Sequence, residues 1–140
     1  MTNAAPLKPE DIRYLVVHCS DTGDDSTMTA ADIHQMHLGF GWDGIGYHKV
    51  IPRNGTVEDG RPEYWVGAHV FAHNHESLGV CLVGSAHFTD AQFDALAQVL
   101  RGWKALYPDA VICGHCDFDN TKKTCPNFDA HAWAVAQKIV

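Results

Sequence analysis

Ten histidines and five cysteines stand among 140 residues, and these are the side chains best suited to hold a metal. His18 closes one apolar run, His115 closes another, and Cys125 lies in the polar stretch that follows the second. If both runs are strands of one sheet, their carboxyl ends gather distant side chains into one cleft. Two imidazoles and a thiolate would leave the fourth position of a tetrahedral zinc open to water, the arrangement of a catalytic site. Other readings compete. A strand-end histidine also serves as a satisfied polar group. Cys113-Gly114-His115-Cys116 is a C-x-x-C that, with Cys125 and one histidine, would make a closed structural zinc site, although a second knuckle is missing. As a redox pair the same motif is weaker, because it follows a strand instead of opening a helix that would acidify a thiol. Cys19 and Cys81, inside apolar runs, read as small buried hydrophobes. His73-Asn74-His75 reads as a solvated loop, and His37, on an apolar stripe with His34 three residues before it, reads as core. Taken alone, Tyr47 is a packed aromatic and Lys123 a solvated cation beside Lys122.

The elements that must position these groups alternate between strand and helix. The nearly continuous apolar run Ile12 to His18 predicts a central strand covered on both faces, followed by a polar loop from Ser20 to Thr27. Thr29 and Asp32 mark a capped helix start, with Ile33, Met36, His37 and Phe40 at helical spacing. Ile45 to Ile51 reads as a second strand, with Ile45, Tyr47, Lys49 and Ile51 on one face and a turn at Pro52-Arg53-Asn54-Gly55 leading into Thr56-Val57-Glu58. Asp59 to Ser77 has no clean period and reads as an irregular surface stretch. Leu78 to Gly84 predicts another buried strand. Thr89 and Gln92 form a capping box ahead of the stripe Phe93, Leu96, Ala97, Leu100, Trp103 and Tyr107. A short strand over Ala110 to His115 and a helix capped by Asp129, running through Trp133 to Ile139, complete the chain. The expected class is α/β: a single domain over residues 1–140, its core about 12–139, with a central mixed sheet flanked by helices.

Composition narrows the functions. Ten basic against seventeen acidic side chains leave a net charge of −7, the wrong sign for gripping phosphate backbones, so nucleic acid is not an expected partner. No apolar stretch approaches the ~20 residues of a membrane helix, and no membrane partner is expected. The amino terminus lacks the basic flank and apolar run of a secretory signal, so synthesis in the cytoplasm is expected. The cysteines are then expected as thiols or metal ligands instead of structural disulfides.

Four blocks carry a resemblance: LVVHCSDT, GWDGIGYHKVIPRNGTVEDGR, VGAHVFAHNHESLGVCLVG and GHCDFDNTKKTCPNFD. In this order they resemble the type 2 N-acetylmuramoyl-L-alanine amidases, zinc enzymes that include small phage lysozyme-like amidases and the animal peptidoglycan-recognition proteins. The likeness spans about Ile12 to Asp129. It implies that His18, His115 and Cys125 hold one zinc ion, that Tyr47 faces the metal and substrate, and that Lys123 supports catalysis. His69 and Asn74 match positions lining the substrate groove. Recognition-only members typically lack the cysteine, so its presence here with Tyr47 favours an enzyme. Between His115 and Cys125 the chain departs from the pattern, with Cys116 and the extra run Asp117-Phe118-Asp119-Asn120. The implied reaction is hydrolysis of the amide joining N-acetylmuramic acid to L-alanine in peptidoglycan or muropeptides by a monomer, at the cell wall in phage lysis or in the cytoplasm in wall recycling. Two other readings are a peptidoglycan-binding module without turnover, and a regulator of an RNA polymerase, since some phage members of the family restrain one.

Overall fold

The computed structural model describes residues 5–118 and 123–139. Its strands are β1 (Tyr14–Cys19), β2 (Lys49–Ile51), β3 (Glu58–Asp59), β4 (Ser77–Leu82) and β5 (Val111–Gly114), and its α-helices are α1 (Ala30–Gly39), α2 (Asp90–Leu106) and α3 (Ala130–Ala136). The strands form one sheet in the order β3-β2-β4-β1-β5, parallel throughout except for the antiparallel β2–β3 edge. This is the mixed sheet expected from the alternating pattern. Residues 119–122, which include part of the extra polar run, lie outside the described residues.

β1 runs between β4 and β5 and is covered on both faces, as its unbroken apolar run requires. Leu15 and Val17 join the large core with Leu78, Val80 and Leu82 of β4 and Leu96, Leu100 and Trp103 of α2. Val16, one residue out of phase, turns instead towards Val70, Cys113 and Phe118. Side chains alternate across a strand, so His18 shares the face of Val16, away from the α2 core. β4 divides in the same way, and Cys81, with Val83 just beyond the strand, joins a second cluster with Ile33, Ile45 and Val50.

The capping residues read from sequence do what their chemistry allows. Thr29 and Asp32 exchange side-chain and backbone hydrogen bonds at the start of α1, and Thr89 and Gln92 do so at α2. Asp129 caps α3 by accepting from the Ala132 amide. Gln92 goes further: wholly buried, its Nε2 donates to the Ile51 and Val83 carbonyls, while its Oε1 accepts from the Thr89 amide and Arg53. It therefore ties the start of α2 to the ends of β2 and β4.

Two expectations need correction. The strand over Ile45 to Ile51 is only Lys49–Ile51, and Tyr47 precedes it. The backbone before Lys49 bonds elsewhere: the Ile45 and Gly46 amides donate to His34 and His37, and the Gly46 carbonyl accepts from Ala68. The supposed common face also breaks, with Ile45 and Tyr47 joining Val50 while Ile51 enters the α2 core. The segment Asp59 to Ser77 is irregular as expected but only partly a surface stretch, for Tyr64 and Phe71 are exposed whereas Arg61, His69, Val70 and Ser77 are buried. Arg61 donates from Nε to the Ile45 carbonyl and from Nη1 to the Val66 carbonyl, while its buried Nη2 has no hydrogen-bond partner among the described residues. Smaller boundary shifts occur at the carboxyl end, where His115 starts the turn after β5 and α3 stops at Ala136.

Candidate active site

His18, near the carboxyl end of β1, is 1% exposed. His115 follows the neighbouring β5, so parallel pairing of the two strands brings the two imidazoles to one edge, with ring centroids 4.7 Å apart. Cys125 arrives from the loop beyond. The Cys19 amide donates to its Sγ at 3.0 Å, and its carbonyl accepts from the Cys116 amide at 2.9 Å. Gly114 permits the approach, because a Cβ there would stand 2.8 Å from Cδ of Pro126. One ligand atom each from His18, His115 and Cys125 lies within 4.8 Å of the others, and no second group of three or more such donors occurs among the described residues. The closed site around Cys113 and Cys116 therefore does not form: Cys113 is buried in the sheet, and Cys116 is exposed. All five cysteines are free.

The donors fit zinc. Two nitrogens and one sulfur, with no oxygen cage, are the ligand chemistry of zinc and not of magnesium or calcium. Burial, and then the neighbouring His69 and His115, hold His18 well below the usual imidazole pKa, so it is neutral with a lone pair to give. Burial lowers His115 as well, helped by the charge of Lys123. The adjacent Cys19 sulfur and burial raise the Cys125 thiol, a penalty that a cation at the site would reverse.

The donors sit in the floor of an open cleft of about 700 Å³, whose lining includes Tyr47, His69, Asn74 and Lys123. Tyr47 packs its ring 5.0 Å from that of His18. Its position depends on α1, since His34 Nδ1 accepts from the Ile45 amide and His37 Nδ1 from the Gly46 amide. Gly46 is needed here because a Cβ would fall 2.1 Å from the Ala68 carbonyl oxygen. Burial raises the Tyr47 phenol well above its ordinary value, which keeps the hydroxyl a proton donor at neutral pH.

His69 and Asn74 also reach the cleft wall, where both ring nitrogens of His69 and Oδ1 of Asn74 have partners inside the protein. Asn74 Oδ1 accepts from the His69 and Val70 amides, both at 2.8 Å. His69 is 8% exposed, with Nδ1 at 2.9 Å from His18 Nε2 and Nε2 at 3.2 Å from Ser77 Oγ. His37 is buried, as the apolar stripe suggested, yet it also lines the cleft beside Trp42. Sequence reasoning missed Ser77 and His48 altogether. His48 lies in the same G-Y-H block as Tyr47, but only the fold shows that its ring stands 5.7 Å from that of His69.

Two imidazoles and a sulfur gathered at the ends of parallel strands, in one open cleft, make this an α/β protein with a group of side chains that could hold a metal ion. The chain belongs to the N-acetylmuramoyl-L-alanine amidase family, whose pattern it matches over residues 8–128. It is 40% identical over 141 residues to the endolysin of Enterobacteria phage K11, covering 95% of this chain and 92% of that protein. The endolysin of Escherichia phage T7 is 40% identical over 139 residues, covering 94% and 91%. Among solved structures, the N-acetylmuramoyl-L-alanine amidase LysC from Clostridium intestinale superposes with a TM-score of 0.81 at 29% identity, covering 99% of this chain and 92% of that one.

Proposed function

We propose that this protein is a zinc-dependent, endolysin-like N-acetylmuramoyl-L-alanine amidase that acts on the cell wall by hydrolysing the amide between the lactyl group of N-acetylmuramic acid and the L-alanine of the stem peptide. The observation that carries this reading is the convergence of His18, His115 and Cys125 beside Tyr47 in one cleft, in a chain of the amidase family. Amides resist water, so the site must favour a nucleophile, stabilise an oxyanion and protonate the departing amine. A zinc ion held by the three donors supplies Lewis acidity for the first two needs.

The chain's own groups supply the rest. Tyr47 keeps its proton at neutral pH and turns its ring towards His18, so its hydroxyl is the donor for negative charge on the carbonyl oxygen and a path for a proton to the leaving nitrogen. Lys123 lines the same cleft and places positive charge near His18 and His115, where it favours developing oxyanion charge.

The direct test is mass spectrometry of a defined muropeptide after incubation with the purified protein, with added zinc and with a chelator. Release of intact stem peptide from the muramyl sugar, lost with chelator and restored by zinc, is the expected result. Unchanged muropeptide in the presence of folded, zinc-loaded protein would sink the amidase reading and favour binding without turnover.

A further inference from the structure

The hydrogen bonds behind His18 form a chain whose proton directions are fixed by its last member. Ser77 Oγ lies 2.8 Å from the His73 carbonyl oxygen, and a carbonyl only accepts. Ser77 has one hydroxyl proton and gives it there, so it faces His69 Nε2 as an acceptor at 3.2 Å. His69 is therefore protonated on Nε2 and bare on Nδ1. That bare nitrogen lies 2.9 Å from His18 Nε2, which must carry the proton of His18. By elimination, the lone pair of His18 is on Nδ1.

We infer that His69 and Ser77 are a positioning pair that locks His18 in the tautomer presenting Nδ1 as its ligand atom. The inference rests on the zinc reading of the cluster and deepens it, giving His69 a task behind the metal ligand instead of contact with substrate. The seat is built for the ring. A Cβ at Gly79 would stand 2.6 Å from His69 Nδ1, so only glycine lets the imidazole lie against β4. Asn74 Oδ1 holds the backbone on both sides of the His69–Val70 peptide. On the far flank, His48 is held in one tautomer as well, with Nδ1 accepting from the Gly79 amide and Nε2 donating to the Trp65 carbonyl. A ligand histidine anchored through its second nitrogen loses little orientational freedom on binding metal and is a better donor, which is why such partners matter to affinity.

Two measurements test this. Long-range proton–nitrogen correlation spectra of histidine-labelled, zinc-free protein report which nitrogen of His18 and His69 carries the proton. Nε2–H on both is expected, and Nδ1–H on His18 overturns the inference whatever any variant does. Zinc affinity, read by competition with a chromophoric chelator, is expected to fall about 10- to 100-fold in His69→Phe. His69→Asn, which restores an acceptor near the place of Nδ1, should recover most of that loss, a rescue that mere packing would not produce. Unchanged zinc affinity in folded His69→Phe overturns the inference. Wild-type protein that takes up no zinc overturns the metal reading itself, separately from the tautomer result obtained without metal.

Discussion

His48 makes the buried histidines a measurable acid weakness. Its Nε2 already donates to the Trp65 carbonyl and its Nδ1 accepts from the Gly79 amide, so a second proton must break the latter bond and set two donors face to face. Burial is the largest cause lowering its pKa, which falls from 6.5 to about 4 despite the opposing Trp65 bond. A base with a lower pKa in the folded state binds more protons when unfolded, so stability falls as pH drops through the unfolded value near 6.5. The fall ends near the folded value of about 4. The same two values give a loss of about 2 kcal/mol between pH 7 and pH 5, and about 3 kcal/mol once both states are protonated. His18 and His69 are lowered by burial too and push in the same direction. Urea unfolding of the metal-free protein at pH 7 and pH 5, for wild type and His48→Asn, isolates the contribution. Asn keeps an acceptor for Gly79 and does not titrate, so about 2 kcal/mol of the wild-type difference between the two pH values should vanish. An equal pH difference in both proteins would refute the reasoning, however much the variant loses at pH 7.

Three further outcomes follow from the geometry. Tyr47→Phe keeps the ring against His18 but removes the donor, so hydrolysis of a defined muropeptide should slow about 10²- to 10³-fold while zinc affinity measured by chelator competition stays unchanged. Cys125→Ser exchanges the soft donor for a weak one, and zinc content after dialysis should drop together with amide cleavage while the far-ultraviolet circular dichroism of the fold remains. Gln92→Met retains volume but strands the Ile51 and Val83 carbonyls, a loss of about 3 kcal/mol that calorimetry should record as a fall of about 10 °C in Tm.

Much of the fold is legible because local rules and burial agree along most of the chain. The apolar run of β1 and the stripe of α2 name residues that the tertiary structure packs into its core, and the two capping boxes form at the helix starts their residues mark. Agreement fails from Ile45 to Ser77. There, Gly44 at φ 138 and the close approach of Gly46 to Ala68 replace ladder pairing with bonds to His34, His37 and the facing loop. An apparent two-residue period could not reveal this, because those partners lie elsewhere in the sequence, as histidine side chains on α1 and backbone in the facing loop. Buried loops of this kind are hidden from periodicity: their polar composition looks solvated until each donor is matched to an acceptor.

The site divides along the same line. His18 and His115 are legible because parallel neighbours β1 and β5 end at one edge, and topology alone then brings together residues almost a hundred positions apart. Cys125 could be suspected from donor chemistry, although its approach depends on Gly114 and on the Cys19 amide, which no spacing encodes. His69 illustrates the opposite case. A motif can place it near the cleft, but whether a wall histidine faces substrate or steadies a ligand depends on where its second nitrogen goes. Here, Ser77 and a backbone carbonyl take that nitrogen's proton out of the cleft and leave the other nitrogen for His18. The role inferred for His69 thus depends on a serine eight residues away on β4, a partner that no motif around His69 reveals.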